Sequence, residues 1–143
     1  MSSDQLSKAL SPSARRRLGE LHGALLRLHK VLLDAERAAY ERDHGRVTAA
    51  KMLDLAINDQ QFAWLRRISE LIVRIDEITD SEVPTAAEDA KQALAYARSL
   101  LAPNQSGNAF EKKYDDVLQL EPDAVLVHRQ VIAILSDEES ARS

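Results

Sequence analysis

The stretch QFAWLRRISELIVRIDEITD, residues 61–80, holds the only tryptophan of the chain and an aliphatic residue at nearly every helical turn. Its apolar residues step by four and three, which is the spacing of one face of an α-helix. They are Trp64, Ile68, Leu71, Ile75 and Ile78. The other side is charged, and Glu70 is spaced for i,i+4 ion pairs with Arg66 and Arg74. We therefore predict an amphipathic helix whose broad apolar side faces a core.

Helical spacing recurs along the chain, and no segment has the alternation of a strand. Ser11 and Pro12 predict the start of a long first helix, and Gly45 predicts its end. Its apolar stripe alternates steps of three and four. The stripe consists of Leu18, Leu21, Leu25, Leu28, Leu32, Ala35 and Ala39. Pro122 predicts the start of the last helix.

Capping patterns mark the intervening boundaries. Thr48 predicts the start of a short second helix. Three capping boxes follow, each a polar cap with Glu or Gln three residues later. They are Asn58 with Gln61, Thr85 with Glu88, and Asn108 with Glu111. Asp59 is an alternative cap, and either residue predicts a break at 58–60. A single bent helix over 48–80 is the alternative.

These patterns predict an all-α protein, an antiparallel helical bundle of five to six helices with the tryptophan helix at its centre. At 143 residues the chain is the size of a single domain. We expect a flexible N-terminal segment over 1–10, a bundle domain over 11–135 and a flexible tail over 136–143. Short connections between helices favour the antiparallel bundle.

Composition excludes several classes of function. The chain has no cysteine, which removes disulfides, thiolate zinc sites and cysteine nucleophiles. Its net charge of −4 argues against a nucleic-acid binder, which would carry a basic face. No apolar run is long enough for a membrane span, and the N-terminal residues lack the apolar core of a secretory signal. We therefore expect a cytoplasmic protein that does not bind membranes.

A metal site is the first chemistry that a helical bundle suggests. A di-iron site of the ferritin type needs two Glu-x-x-His pairs and two further glutamates. This sequence has one such pair, Glu41 with His44, at a helix end. These two residues are the candidates for a metal, and we predict no metal and no cofactor.

Polar residues repeat every seven positions along the first helix, beside its leucine stripe. They are His22, His29, Glu36 and Asp43. They form either a half-buried rim or a polar wall facing a ligand. With Trp64 and Asp76, the two histidines are the candidates for a small-ligand or haem pocket. Asp76 has a structural alternative, a polar clasp with a cation of the first helix. That cation would be Arg27, Lys30 or Arg37.

His128 falls on the apolar face of the last helix. A lone histidine there is more often a core residue with paired ring nitrogens than a catalyst, although a carboxylate neighbour would let it titrate near neutral pH. No Gly-x-Ser-x-Gly context and no glycine-rich phosphate loop occurs in the chain. We therefore predict that the protein is not an enzyme.

Several residues are candidates for contact with a partner. Arg15, Arg16 and Arg17 form the only basic run, at a helix N-terminus where positive charge opposes the helix dipole. Tyr40, Phe62 and Val73 lie off the main stripes, so they belong either to second-layer packing or to a dimer surface. Because two-fold homodimers are the commonest oligomers, we favour a homodimer.

The function we predict is a non-enzymatic interaction, scaffolding or regulatory module acting through helix faces. The alternative is a bundle that binds a small ligand, haem or a metal near Trp64 and the histidine side of the first helix.

Overall fold

A computed structural model describes residues 9–102 and 108–142, with side chains described as far as Ser136. The described residues form six α-helices and one 3-10 helix, and no strand occurs among them. The helices are α1 Pro12–His44, α2 Ala49–Asn58, the 3-10 helix Gln60–Leu65, α3 Arg66–Asp80, α4 Ala86–Leu101, α5 Ala109–Leu120 and α6 Pro122–Arg142. The predicted all-α fold is confirmed.

Helix α1 begins and ends at the predicted residues. The Ser11 hydroxyl accepts a hydrogen bond from the Ala14 amide at 3.1 Å, and Pro12 occupies the first helical position. At the other end Gly45 has φ of 82° and donates its amide to the Glu41 carbonyl at 2.8 Å. A side chain is strained in that conformation, so glycine suits the end of the helix.

Helix α1 lies at the centre of the bundle together with the tryptophan-bearing segment 60–80, which packs against α1, α2, α4 and α5. Helix α1 packs against the 3-10 helix, α3, α5 and α6. Its stripe residues Leu21, Leu25, Leu28 and Leu32 are fully buried. With 33 residues, α1 is the longest helix and can contact elements along its whole length.

The predicted break at 58–60 is confirmed, and the single bent helix is not found. Asp59, the alternative cap, accepts the Gln61 amide at 2.8 Å, whereas Asn58 bonds Asp54 instead. Residues 60–65 then form a 3-10 helix rather than the first turns of the predicted α-helix. The Arg66 guanidinium bonds the Ile57 carbonyl and so links the two sides of the break.

Two predicted ion pairs of α3 do not form. Arg66 is engaged with the end of α2, as described above. Arg74 lies 4.0 Å from Glu77 on its own helix and 3.8 Å from Asp89 on α4. Glu70 therefore has neither of its predicted partners, because a cross-helix acid and a backbone carbonyl have taken the two arginines.

Contacts between sequence-distant residues give the direction of three helix pairs. Arg15 donates to the Ser81 carbonyl at 3.3 Å and His22 lies 3.9 Å from Asp76, so α1 and α3 run antiparallel. The Arg74–Asp89 contact spans a five-residue connection, which makes α3 and α4 antiparallel neighbours. Helices α5 and α6 form a hairpin about Glu121.

Of the three remaining predicted helix caps, two form and one does not. Thr48 accepts the Lys51 amide at 3.1 Å, and Asn108 accepts the Glu111 amide at 2.9 Å, as predicted. Thr85 makes no side-chain cap bond, so that capping box is wrong. Its ψ of 2° departs from the extended backbone that a capping residue adopts.

The ends of the chain are only partly described. Residues 1–8 lie outside the described part, whereas Leu10 belongs to the core with 9% of its surface exposed. Helix α6 extends to Arg142, so the backbone is helical through most of the predicted tail. The flexibility of 1–10 and of 136–143 stays a prediction.

Candidate functional site

A buried carboxylate lies at the contact of three elements. Glu36 of α1 is 7% exposed and is the one charged residue that is buried within the described ranges. Its Oε1 accepts a hydrogen bond from the Trp64 indole at 3.1 Å and from the Lys113 ammonium at 2.9 Å. Burying a charge is costly unless it is paired and hydrogen-bonded, and here both conditions are met. Glu36 thus fastens α1 to the 3-10 helix and to α5.

A row of aromatic rings continues from this carboxylate towards α6. The Trp64 and Phe110 rings meet edge to face with centroids 5.6 Å apart, and Phe110 stacks on Tyr114 at 5.6 Å. The Tyr114 hydroxyl then lies 2.6 Å from Nδ1 of His128. Edge and offset contacts of this kind favour packing beyond the area they bury. The row is therefore part of the core that holds α5 and α6 together.

Burial sets the protonation of the tyrosine and histidine in this row. Burial raises the pKa of Tyr114 far above its ordinary value and lowers the pKa of His128. Both shifts favour the neutral forms, so at neutral pH a neutral phenol and a neutral imidazole share this hydrogen bond. The ring nitrogen of His128 is thus paired, and its neighbour is a phenol rather than a carboxylate.

The predicted pocket residues are not gathered at one place. His22 faces Asp76 at 3.9 Å, and the Asp76 side chain is 64% exposed. Trp64 meets Glu36, which lies fourteen residues further along α1, or about 21 Å at 1.5 Å per residue. His29 is half-buried between these positions, and burial lowers its pKa.

The alternative of a buried Asp76 clasp is wrong, because the three cations proposed for it have other partners. Arg27 bonds Gln130 at 3.4 Å, Lys30 pairs with Asp34 at 3.0 Å, and Arg37 bonds the Val47 carbonyl at 2.9 Å.

The two metal candidates have other partners at the end of α1. Glu41 accepts the Val47 amide at 2.9 Å and lies 3.6 Å from Arg37. The His44 ring stacks on Tyr40 with centroids 4.1 Å apart, and its Nδ1 lies 3.1 Å from the Tyr40 carbonyl. Across residues 9–102 and 108–136, no three acidic or imidazole groups come together in a way that could hold a metal ion.

The predicted interaction residues fall in different environments. Arg15 is half-buried and bonds Ser81 at the end of α3, whereas Arg16 is exposed and Arg17 is half-buried. Phe62 is fully buried, so its ring belongs to the core of the chain. Tyr40 is half-buried against Phe62, and Val73 is 56% exposed. Of the apolar candidates, Val73 is thus the one that faces solvent.

Helix α2 carries an exposed apolar surface that includes none of the predicted interaction residues. Met52 and Leu55 are buried on one side, and the helix packs mainly on the 3-10 helix. On the other side Leu53 is 63% exposed and Ile57 is 57% exposed. Ala49 and Ala50 continue this exposed side, and together these four residues are called the α2 face below. The sequence indicates this exposed apolar surface, since seven of the ten residues of AAKMLDLAIN are apolar and one side of the helix cannot bury them all.

Among the cavities between helices of the described chain, two lie against α4. One of about 200 Å³ lies between the start of α1 and α4, with Leu18 and Leu94 on its floor. The other, of about 300 Å³, lies between α3 and α4 and is lined largely by charged and polar side chains. Neither is lined by His22, His29, Trp64 or Asp76.

In the part of the chain that the structure describes, no helix is both long enough and apolar enough to cross a membrane.

Comparison with protein-family models, with curated proteins and with solved structures finds no match for this chain.

Proposed function

We propose that this chain is a non-enzymatic protein-interaction module that forms a homodimer through the α2 face. The observation that carries the proposal is the two-sided character of α2. Leu53 and Ile57 are more than half exposed although their helix is otherwise anchored by its buried side. Contiguous exposed apolar surface marks an interaction site more often than a scattered apolar residue does.

A second copy of the chain fits this face because the face is complementary to itself. Ala49, Leu53 and Ile57 are spaced by four residues, with Leu53 in the middle. An antiparallel pair of α2 helices about a two-fold axis would place Leu53 against its counterpart and Ile57 against Ala49 of the other copy. Large side chains would then lie opposite small ones, which is the arrangement that packs without voids.

The charges on α2 permit this pairing. The helix carries one cation and one anion, Lys51 and Asp54, which lie 3.7 Å apart as an ion pair. Two copies would therefore meet without net repulsion, although the whole chain carries −4. A strongly acidic or basic partner would find no net opposite charge on this helix.

The dimer should be weak. A ten-residue helix is about 15 Å long, which is less than an interface of roughly 800 Å² per partner requires. Burying the exposed part of Leu53 and Ile57 contributes about 1–2 kcal/mol for each side chain, against an association cost of several kcal/mol. We expect an equilibrium between monomer and dimer that depends on concentration.

Support for a non-enzymatic role comes from the buried polar groups. Glu36 is bonded by Trp64 and Lys113, and His128 is bonded by Tyr114, so each has a structural partner. A cytoplasmic location is also part of the proposal, and the cysteine-free composition agrees with it. Imaging of the tagged full chain in its own cell would test the location.

Light scattering over a range of concentrations tests the dimer. The wild-type mass should rise with concentration towards twice the monomer mass, and Leu53→Glu with Ile57→Glu should hold the mass at that of the monomer. Val83→Glu is the matched control, because Val83 is also exposed, at 50%, but lies outside α2. Circular dichroism should show unchanged helicity in all three proteins.

A wild-type mass that stays monomeric up to the solubility limit would contradict the homodimer. An equal loss of dimer in the Val83→Glu control would place the interface elsewhere.

A further inference from the structure

The second cavity, between α3 and α4, presents its polar groups in an order that suggests a ligand. Its floor consists of Leu71 and Ala93, both buried. Helices α3 and α4 run antiparallel, and Arg74 lies beside Asp89. Residues nearer the start of α3 therefore lie beside residues nearer the end of α4. One turn away Glu70 shares the cavity with Gln92, and two turns away Arg67 shares it with Tyr96.

The two ends of this cavity differ in how far their charges are satisfied. At one end Arg74 lies within 4.0 Å of both Glu77 and Asp89, so its guanidinium is shared between two carboxylates. At the other end Arg67 and Glu70 form no ion pair or side-chain hydrogen bond with any described residue. An unpaired cation and an unpaired anion thus lie one helical turn apart beside an apolar floor.

Tyr96 lies at the same end of the cavity as Arg67. Its side chain is 46% exposed although it lines the cavity, and no hydrogen bond to its hydroxyl is found within the described ranges. An exposed aromatic ring beside an apolar floor can cover the hydrocarbon part of a ligand. A volume of about 300 Å³ is at the lower end of the range for small-molecule sites.

We propose that this cleft binds a small zwitterion, an α-amino acid with an apolar or aromatic side chain. The Arg67 guanidinium would take the carboxylate, for which its paired N–H groups are suited. The Glu70 carboxylate would take the ammonium group. The side chain of the amino acid would lie over Leu71 and Ala93 against the Tyr96 ring. The site is separate from the α2 face, so the proposal does not depend on the homodimer.

The binding should be weak, because Arg67 and Glu70 are exposed to water. A ligand of this size held by exposed groups is expected to have a dissociation constant on the order of 1 mM. Removing one charge-assisted hydrogen bond should weaken it about tenfold.

Two-dimensional NMR of the labelled full chain, titrated with L-phenylalanine, tests the proposal. We expect saturable shifts of the amides of α3 and α4 that line the cleft. N-acetyl-L-phenylalanine lacks the ammonium and L-phenylalaninamide lacks the carboxylate, so each should bind about tenfold more weakly. Arg67→Gln should mimic the loss of the carboxylate, and Glu70→Gln the loss of the ammonium.

Arg16→Gln is the matched control, since Arg16 is an exposed arginine of α1 outside the cleft. It should leave the titration unchanged. Both cleft variants replace exposed side chains, and their unperturbed spectra would establish that they fold. The absence of saturable shifts at the cleft would overturn the proposal. Equal binding of the free amino acid and either derivative, or by wild type and Arg67→Gln, would also overturn it.

Discussion

Glu36 is the residue whose role the sequence described least well. It belongs to a row of polar residues spaced by seven beside the leucine stripe, and that spacing cannot distinguish a wet rim from a buried contact. Its burial depends on the 3-10 helix, which carries the Trp64 indole to it, and on Lys113 of α5. Both partners come from elements distant in sequence, so no local pattern around residue 36 predicts these contacts.

The indole hydrogen bond can be tested apart from the bulk of the ring. Trp64→Phe keeps an aromatic side chain against Phe110 but removes the donor to Glu36. We expect a loss of about 2 kcal/mol in the free energy of unfolding, measured by urea denaturation, because the acceptor is a charged, buried group. Trp64→Ala should cost more, about 3–5 kcal/mol, since it also leaves a cavity.

The same substitution of Trp64 can be made in a Glu36→Leu protein, in which the indole has no carboxylate to bond. With no acceptor present, Trp64→Phe should cost measurably less than it does in the wild type. Equal costs in the two backgrounds would show that Glu36 and the indole do not stabilise one another.

His29 and His128 predict how stability depends on pH. Burial lowers the pKa of both in the folded protein, so the unfolded chain binds protons more readily. Their contribution to stability is therefore complete above the ordinary histidine pKa of about 6.5, and it is lost as the pH falls towards the lowered folded pKa. Melting temperatures should fall between about pH 7 and pH 5 from this cause.

Two glutamine variants test whether His128 causes this dependence of melting temperature on pH. His128→Gln should flatten the fall in melting temperature, while its amide can still accept a hydrogen bond from Tyr114. His44→Gln, at an exposed position on α1, should keep the full dependence. An unchanged slope in the His128→Gln protein would refute the role assigned to that residue.

The helices and their boundaries were largely predictable from local chemistry. Caps at Ser11, Thr48 and Asn108 formed as predicted, because a cap is decided by the cap residue and the next three amides. The Thr85 cap failed because its backbone departs from the extended conformation. The 3-10 form of residues 60–65 was also missed, because the apolar spacing there fits either helix type.

The formed and unformed caps predict different costs of substitution. Asn108→Ala should destabilise the protein by about 1 kcal/mol, since it removes the acceptor for the Glu111 amide. Thr85→Ala should change the free energy of unfolding by much less, because no amide bonds its hydroxyl. Chemical denaturation of the two variants makes the comparison, and equal losses would contradict the distinction between the caps.

At the scale of the whole molecule, the sequence predicted an all-α chain with the tryptophan segment at its centre, but not that α1 shares that central place. Amphipathic spacing shows that a helix has a buried side, whereas the number of neighbours it touches depends on its length and on how the others pack. The same limit applies to the candidate sites. The composition of α2 indicates an exposed apolar face only when it is known that α2 packs mainly on the 3-10 helix. The α3–α4 cleft cannot be predicted without knowing which residues of the two helices lie side by side.

The proposed homodimer requires Leu53 to lie opposite its counterpart in a second copy of the chain. The chain has no cysteine, so Leu53→Cys introduces a unique thiol. Two such residues can form a disulfide only if their Cα atoms come within about 7 Å. Under mild oxidation, non-reducing electrophoresis should show rapid conversion of Leu53→Cys to a covalent dimer and little conversion of the exposed control Val83→Cys. Equal, slow cross-linking of the two variants would contradict the α2 interface.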